Sequence, residues 1–288
     1  MTGPAERTGM RRAIVIVPSA FTAGSLFFGM WSIVESARGN YVRAAWFIVI
    51  AGVMDMMDGR VARATRTGTA FGAELDSLID VISFGMAPAL LMYFFQFSRG
   101  EWAWLLPLIY VWGTAVRLAR FNVEQAGHAK AQFFGLPSPA AGGTVATFVP
   151  FSTTPFFRDH LSQLPWPLLL AMMLVFLSLL MVSHVPYPVV PRFGLRTWGQ
   201  RAASAFLVVV IVAAVYFPAY FFFPFAVVFI AFGIVRSTLF SFLERSPDRD
   251  PLHDEAEPDE VGTGAGPRRM FPIRVRGRRR GGERREGP

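Results

Sequence analysis

Long apolar runs alternate with short polar segments along most of the chain. A run of about 20 apolar residues has the length of a helix that crosses a bilayer. The pattern predicts an all-α polytopic membrane protein with about eight transmembrane helices. They cover about residues 19–36, 41–64, 73–97, 102–121, a stretch ending near 151, 165–182, 201–217 and 220–242.

Changes in composition mark the limits of this membrane domain. Residues 1–12 are polar and form an N-terminal segment. Residues 13–243 hold the apolar runs, and Pro18 is expected to interrupt the first run, so that an interfacial turn precedes the first helix. Residues 244–288 are rich in Asp, Glu, Pro, Gly and Arg, a composition typical of a disordered tail.

Basic residues are unevenly distributed between the predicted loops. They concentrate in the N-terminal segment, in alternate loops and in the tail, whereas the intervening loops hold Arg38 and Arg43, then Arg99, then Arg158. Cytoplasmic loops of membrane proteins carry the excess of positive charge. We therefore expect a multi-pass protein of the cell membrane with both termini and the acidic segment of residues 55–80 on the cytoplasmic side.

Composition and charge exclude several classes of protein. Hydrophobic residues make up 53% of the 288, and the mean hydropathy is +0.40, which is too apolar for one soluble domain. The absence of cysteine excludes disulfides and thiol chemistry. The net charge of +8 is not accompanied by the basic and aromatic pattern of a nucleic-acid-binding fold, so we expect no nucleic-acid partner and basic loops beside lipid headgroups.

Four aspartates interrupt the apolar pattern between residues 55 and 80. Asp55 and Asp58 are three residues apart and Asp76 and Asp80 are four apart, so each pair lies on one face of its helix. Carboxylates that converge at the edge of a low-dielectric region repel one another, and they take up protons or recruit a cation. Since the segment offers only hard oxygen ligands, magnesium or manganese is favoured. The alternative is a solvated acidic helix end balanced by neighbouring arginines.

The end of the predicted fourth helix carries Arg117, Arg120 and Asn122. Two guanidinium groups three residues apart can hold a phosphate or a carboxylate. The alternative is that these arginines only contribute to the positive charge of a cytoplasmic loop and contact lipid headgroups. The residues alone leave both interpretations open.

Eight positions across the acidic segment follow a fixed spacing. They read Asp55-x2-Asp58-Gly59-x2-Ala62-Arg63-x8-Gly72-x3-Asp76-x3-Asp80. This spacing resembles the complete signature of the CDP-alcohol phosphotransferase family. The resemblance implies an integral membrane enzyme with the fold of that family, which joins an alcohol to the phosphatidyl group of a CDP-linked lipid and releases CMP.

The resemblance also implies roles for individual residues. Two Mg²⁺ or Mn²⁺ ions would be held by Asp55, Asp58, Asp76 and Asp80, and Asp80 would also be the general base. Contacts with the CDP-linked lipid would come from Gly59, Ala62, Arg63 and Gly72. Thr22, on the small and polar face of the first helix, is expected to line the nucleotide pocket, although ordinary helix packing is the alternative for such a face.

Further segments concern the acceptor alcohol. Residues 76–89, 117–122, 133–143 and 181–188 resemble the CDP-diacylglycerol–serine O-phosphatidyltransferases of bacteria and archaea. This resemblance implies CDP-diacylglycerol and L-serine as substrates, with Arg117, Arg120 and Asn122 binding the serine carboxylate or the lipid phosphate, and a homodimer. Glycerol 3-phosphate, an inositol phosphate and choline are alternative acceptors, and a transporter with a cytoplasmic cation site is the alternative class.

Overall fold

The computed structural model describes residues 4–65, 69–127, 135–183, 210 and 212–243. These residues form helices and no strand, which confirms the predicted all-α class. The helices are α1 (Pro4–Ala37), α2 (Tyr41–Thr65), α3 (Ala70–Asp80), α4 (Ala87–Met92), α5 (Leu105–Gly127), α6 (Ser138–Ser152), α7 (Trp166–Val182) and α8 (Pro218–Leu243), with a further helical stretch over 212–216. Wider π-helical turns cover Val81–Met86, Tyr93–Phe97 and Phe157–Leu161.

The predicted membrane spans receive partial support. Within the described residues, Phe71–Phe97 and Pro218–Ser237 are long and apolar enough to cross a bilayer, and Trp166–Val182 is apolar but shorter. Most of the predicted seventh helix and the predicted tail, residues 244–288, lie outside the described residues. The total of eight spans therefore stays a prediction.

The first two helices form an antiparallel hairpin joined by Arg38, Gly39 and Asn40. Gly39 has a φ of +82°, a left-handed conformation that favours glycine. The backbone amide of Asn40 donates to the backbone carbonyl of Glu35 at 2.9 Å and thereby closes the end of α1. The turn thus brings α2 back along α1 and carries its later acidic residues to the opposite end of the hairpin.

The predicted interruption at Pro18 is wrong, because α1 continues through this residue from Pro4 to Ala37. A proline removes one backbone hydrogen bond, but the bonds before and after it are still made in a helix that is long on both sides. The first helix therefore begins before residue 19.

Helix α6 lies at the centre of the fold. Its side chains are buried almost continuously from Ser138 to Phe151, as expected for a helix that is apolar on all sides. It contacts α2, α4 and α8. Near its end the ring of Phe148 packs against Trp166 and Phe223, with ring centroids 5.0 and 5.3 Å apart. Because α6 is fixed on several sides, its first residue occupies a defined position in the site described below.

Helix α3 is followed without a break by the wide turn Val81–Met86, by α4, which contains Pro88, and by the wide turn that ends at Phe97. A proline ring would crowd the carbonyl four residues earlier, here that of Phe84, and leave it without its helical donor. The wide turn Val81–Met86 relieves this crowding, and the Tyr110 hydroxyl donates to the Phe84 carbonyl at 3.2 Å. A hydroxyl from α5 thus supplies a hydrogen bond to the backbone carbonyl at this proline.

Candidate active site

Three of the four predicted carboxylates converge between α2 and α3. Asp55, Asp76 and Asp80 each place one carboxylate oxygen within 4.8 Å of the others. Asp80 is buried, and Asp55 and Asp76 are half-buried. The two acidic helix faces therefore meet as their spacing predicted. Asp58 is also buried near the end of α2, but its oxygens do not belong to this close group.

The orientation of α3 is set at its first turn. The Thr69 hydroxyl accepts a hydrogen bond from the Gly72 amide at 3.0 Å and caps the helix. Such a cap satisfies an amide that has no partner within the helix. Because residues four apart lie on one face, a fixed start at Ala70 also fixes the direction in which Asp76 and Asp80 point. Gly72 itself is exposed on this first turn.

Helix α1 packs against the wide turn that follows Asp80. The buried Ser83 hydroxyl donates to the Ser25 carbonyl at 3.1 Å. A Cβ atom on Gly29 would lie 2.6 Å from the Ser83 hydroxyl oxygen, so this approach requires glycine. The contact holds the carboxyl end of α3, and with it Asp80, against the α1–α2 hairpin.

A hydroxyl from α6 connects Asp80 to Arg117. Ser138 is fully buried, and its hydroxyl donates to Asp80 Oδ2 at 3.3 Å. The oxygen of this hydroxyl in turn accepts a hydrogen bond from Arg117 Nη1 at 3.1 Å. Arg117 therefore lies beside the carboxylate cluster.

The donor set of the cluster fits a hard divalent cation. Asp80 Oδ1 is buried and has no hydrogen-bond donor among the described residues. Buried polar atoms are nearly always satisfied, so an oxygen in this position indicates a ligand that supplies positive charge. Three carboxylates with no nitrogen or sulfur among them suit magnesium or manganese better than zinc.

Asn122 and Arg120 have partners on neighbouring helices. The Asn122 amide nitrogen donates to Glu74 Oε2 at 2.9 Å, and its oxygen accepts from the Ser77 hydroxyl at 3.0 Å. These bonds tie α5 to α3 on either side of Asp76 in sequence. Arg120 Nη1 donates to the Val182 carbonyl at 3.4 Å, at the end of α7. Both residues thus connect helices around the site.

The residues predicted to contact the CDP-linked lipid are more dispersed. Thr22 is buried in α1, and Gly59 is half-buried in α2. Ala62 and Arg63 lie in the last turns of α2, and their side chains are outside the described part of the structure. None of these residues contributes to the group of carboxylates formed by Asp55, Asp76 and Asp80.

Sequence reasoning missed the positions of Ser138, Ser77 and Glu74. Ser138 belongs to a segment that carried part of the family resemblance, yet it received no role. The available signal was a polar residue between two prolines at the start of an apolar run. Its partners are 58 residues earlier and 21 residues earlier in the chain, a pairing that local periodicity does not reveal.

Comparison with known proteins places these residues in a shared segment. The sequence model described as CDP-alcohol phosphatidyltransferase matches residues 15–182, which include the four aspartates, Arg117 and Ser138. The chain is 38% identical to the CDP-diacylglycerol–serine O-phosphatidyltransferase of Helicobacter pylori over 176 residues, 61% of this chain and 73% of that protein. It is 34% identical to the archaetidylserine synthase of Methanothermobacter thermautotrophicus over 190 residues, 64% of this chain and 75% of that protein. The CDP-diacylglycerol–serine O-phosphatidyltransferase of Mycobacterium tuberculosis is 35% identical over 142 residues, 48% of this chain and 49% of that protein.

Proposed function

The chain belongs to the CDP-alcohol phosphatidyltransferase family, and we propose that it transfers the phosphatidyl group of CDP-diacylglycerol to the hydroxyl of L-serine. The products are phosphatidylserine and CMP. Relatives named for this reaction, in Helicobacter pylori and Mycobacterium tuberculosis, support the choice of both substrates. The archaetidylserine synthase supports serine as the acceptor.

One observation carries the proposal: a guanidinium lies one hydroxyl away from a cluster of three carboxylates. The cluster suits a cation that binds the diphosphate of a CDP-linked lipid. Arg117 suits the carboxylate of serine, because an anionic group in a largely desolvated site needs a cationic partner. Choline has no anionic group that would use this arginine, and a phosphorylated acceptor would favour a larger basic cluster.

The cofactor in this proposal is Mg²⁺ or Mn²⁺, as two ions held by Asp55, Asp76, Asp80 and Asp58. When bound, the ions supply positive charge that neutralises the diphosphate and the charge on departing CMP. The close oxygens of Asp55, Asp76 and Asp80 support this assignment. Asp58, buried nearby on the same helix as Asp55, would complete the ligand set.

The side chains of this chain then orient the acceptor and move one proton. Arg117 binds the serine carboxylate and directs the serine hydroxyl toward Asp80. Asp80 accepts the hydroxyl proton as general base, and the serine oxygen forms a bond to the lipid-side phosphorus. The bond between that phosphorus and the oxygen of the CMP phosphate breaks, and CMP leaves with the electron pair. Arg120 and Asn122 hold α7 and α3 against α5 and so shape the acceptor side of the site.

The nucleotide side of the site is assigned to small and basic residues. Gly59 and Ala62 leave room for the nucleotide, and Arg63 pairs with its phosphates. Gly72, exposed on the first turn of α3, and Thr22 of α1 line the same pocket. The charge distribution between loops supports a cytoplasmic active site, where CDP-diacylglycerol headgroups and free serine are both accessible.

The remaining proposals concern the whole protein. Residues 13–243 form the catalytic domain of a multi-pass cell-membrane protein with about eight spans, and residues 1–12 and 244–288 are cytoplasmic. The arginines of the tail contact anionic lipid. Two copies associate as a homodimer.

The decisive experiment is CMP release by the purified, detergent-solubilised chain. CDP-diacylglycerol and Mn²⁺ are supplied with L-serine, glycerol 3-phosphate, inositol phosphate or choline in separate reactions. We expect release that depends on serine and stops when a chelator is added. Release with another alcohol would move the acceptor and keep the chemistry, whereas no release with any alcohol would favour the transporter class. The Asp159→Asn variant, altered at an exposed aspartate beyond the far end of α6, serves as a control with full activity.

A further inference from the structure

Ser138 occupies a position that the reaction described above does not explain. It is the first residue of α6 and is fully buried, and its hydroxyl lies between Arg117 and Asp80. A guanidinium can only donate hydrogen bonds, and an ionised carboxylate can only accept them. The hydroxyl therefore accepts from Arg117 at 3.1 Å and donates to Asp80 at 3.3 Å, so the direction of both bonds is fixed.

The hydroxyl keeps two opposite charges apart. In the part of the chain that the structure describes, no direct ion pair joins Arg117 to Asp80. Opposite charges in a low-dielectric environment attract strongly, and a direct pair would use the donors of one and the acceptors of the other. An intervening hydroxyl gives each group a hydrogen bond without bringing the two charges into contact.

This arrangement leaves one buried atom available on each charged group. Asp80 Oδ1 has no donor, and Arg117 Nε has no acceptor, among the described residues. Buried polar atoms are nearly always paired, so both atoms indicate contacts that a ligand completes. The carboxylate atom suits a hydroxyl proton or a cation, and the guanidinium atom suits an anionic oxygen.

The backbone before Ser138 holds the hydroxyl in place. Leu136 donates its amide proton to the Leu180 carbonyl at 3.1 Å. Gly135 has a φ of +82°, and a Cβ atom there would lie 2.5 Å from the Met181 carbonyl oxygen. The segment is thus fastened to the end of α7 immediately before α6 begins.

We infer that Ser138 is a positioning residue that separates Arg117 from Asp80, so that the guanidinium binds the acceptor's carboxylate while Asp80 stays accessible to the acceptor's hydroxyl. The inference rests on the proposed function and assigns to α6 the link between acceptor binding and deprotonation. Removing the hydroxyl would let the two charged groups approach each other. The substrate L-serine would then bind more weakly and its hydroxyl would be deprotonated more slowly. Binding of the lipid nucleotide would not change.

The test uses the full chain with Ser138→Ala, Ser138→Thr and the matched control Ser152→Ala. Ser152 is at the other end of α6, and its hydroxyl bonds only a local carbonyl, that of Val149. CMP release is measured against serine and against CDP-diacylglycerol. For Ser138→Ala we expect the KM for serine to rise and kcat to fall, each by about tenfold, as for a lost hydrogen bond to a charged group. The KM for CDP-diacylglycerol should stay unchanged, and threonine should restore most of both values.

A double variant separates positioning from general structural damage. If Ser138 acts through Arg117, then Ser138→Ala in an Arg117→Ala background should raise the serine KM little further. Three results would each overturn the inference. They are additive effects of the Ser138 and Arg117 substitutions, wild-type kcat and serine KM in Ser138→Ala, and the same loss of activity in Ser152→Ala. Ser138→Cys, close in size with a weak hydrogen-bonding group, replaces Ser138→Ala if that variant does not fold. Wild-type protein without serine-dependent release would instead refute the proposed function, and the inference with it.

Discussion

Carboxylates at the two ends of the α1–α2 hairpin differ in how their negative charge is balanced. At the connecting turn, Glu35 is only 3% exposed, yet three donors surround its carboxylate. Asn40 Nδ2 lies at 2.8 Å, Arg38 Nη1 at 3.1 Å and Arg43 Nη1 at 3.5 Å from its oxygens. The charge of Glu35 is therefore balanced within the chain.

At the other end, about 20 Å away along α2, the described residues place three carboxylates beside the single guanidinium of Arg117. Asp55, Asp76 and Asp80 lie together, and the guanidinium beside them is held off by a hydroxyl. A balanced carboxylate fastens a turn, whereas a cluster with excess charge depends on a cation or substrate from outside. We therefore predict that substitutions at Glu35 affect mainly stability, whereas substitutions in the carboxylate cluster affect mainly activity.

The largest effect on activity is expected from Asp80→Asn. An amide cannot accept the serine proton, so turnover should fall by about a thousandfold, the scale of general base catalysis. The unfolding temperature without metal should stay the same or rise, because one repelling charge is removed. CMP release and thermal unfolding are measured together, with Asp159→Asn as the control. Turnover within a few fold of wild type would remove Asp80 from the role of base.

The next effect concerns metal binding by Asp55 and Asp76. Each Mn²⁺ ion that binds only the folded state, at about a hundred times its Kd, should stabilise the wild-type protein by about 2.7 kcal/mol. The double variant Asp55→Asn, Asp76→Asn should lose this stabilisation, because two of three close ligands become neutral. Thermal unfolding with Mn²⁺ and with chelator checks this without an activity assay. Equal stabilisation of both proteins would place the metal elsewhere.

Two glycines with the same φ of +82° should respond differently to substitution by alanine. A Cβ atom on Gly39 would meet nothing within 4 Å, so Gly39→Ala should cost only the strain of that conformation, about 1 to 2 kcal/mol. Gly135→Ala adds a collision with the Met181 carbonyl and should destabilise more. It should also lower turnover, because Ser138 would shift. Denaturant unfolding and CMP release are the measurements, and equal effects of the two substitutions would contradict this distinction.

The smallest effect on activity is expected at the balanced end. Glu35→Gln removes the charge that holds Arg38 and Arg43, so the unfolding temperature should fall. Turnover per folded molecule and both KM values should stay within about twofold of wild type, since distant sites act independently. Kinetics below the unfolding transition provide the check. A large change in the serine KM would show that the two ends are coupled.

Sequence periodicity was sufficient for helices whose ends are marked by polar residues. The predicted 41–64 and 165–182 correspond to α2 and α7 within one residue at each end. The fourth predicted helix was less accurate: α5 starts at Leu105, after the exposed Trp102, and continues to Gly127. Asn122, which follows Phe121, has hydrogen-bond partners on α3, and a search for apolar windows does not detect such contacts.

The site was predictable where its chemistry is local and unpredictable where it depends on packing. Spacing alone placed Asp55 and Asp58 on one face of a helix and Asp76 and Asp80 on one face of the next, and the structure brings Asp55, Asp76 and Asp80 together. The role of Ser138 requires α3, α5 and α6 to meet at one point, which no local pattern specifies. The hydrogen bond from Tyr110 to the Phe84 carbonyl also depends on packing. Pro88 cannot donate to this carbonyl, and the donor comes from another helix.

The prolines on both sides of Ser138 affect the thermodynamics of substrate binding. Pro137 has a φ of −58°, and the ring of Pro139 restricts the next turn in the same way. A chain restricted at both neighbours has few conformations to lose when it folds. The entropic cost of ordering Ser138 is therefore met when the protein folds and does not recur when the substrate L-serine binds. More of the binding free energy of the acceptor then appears as affinity.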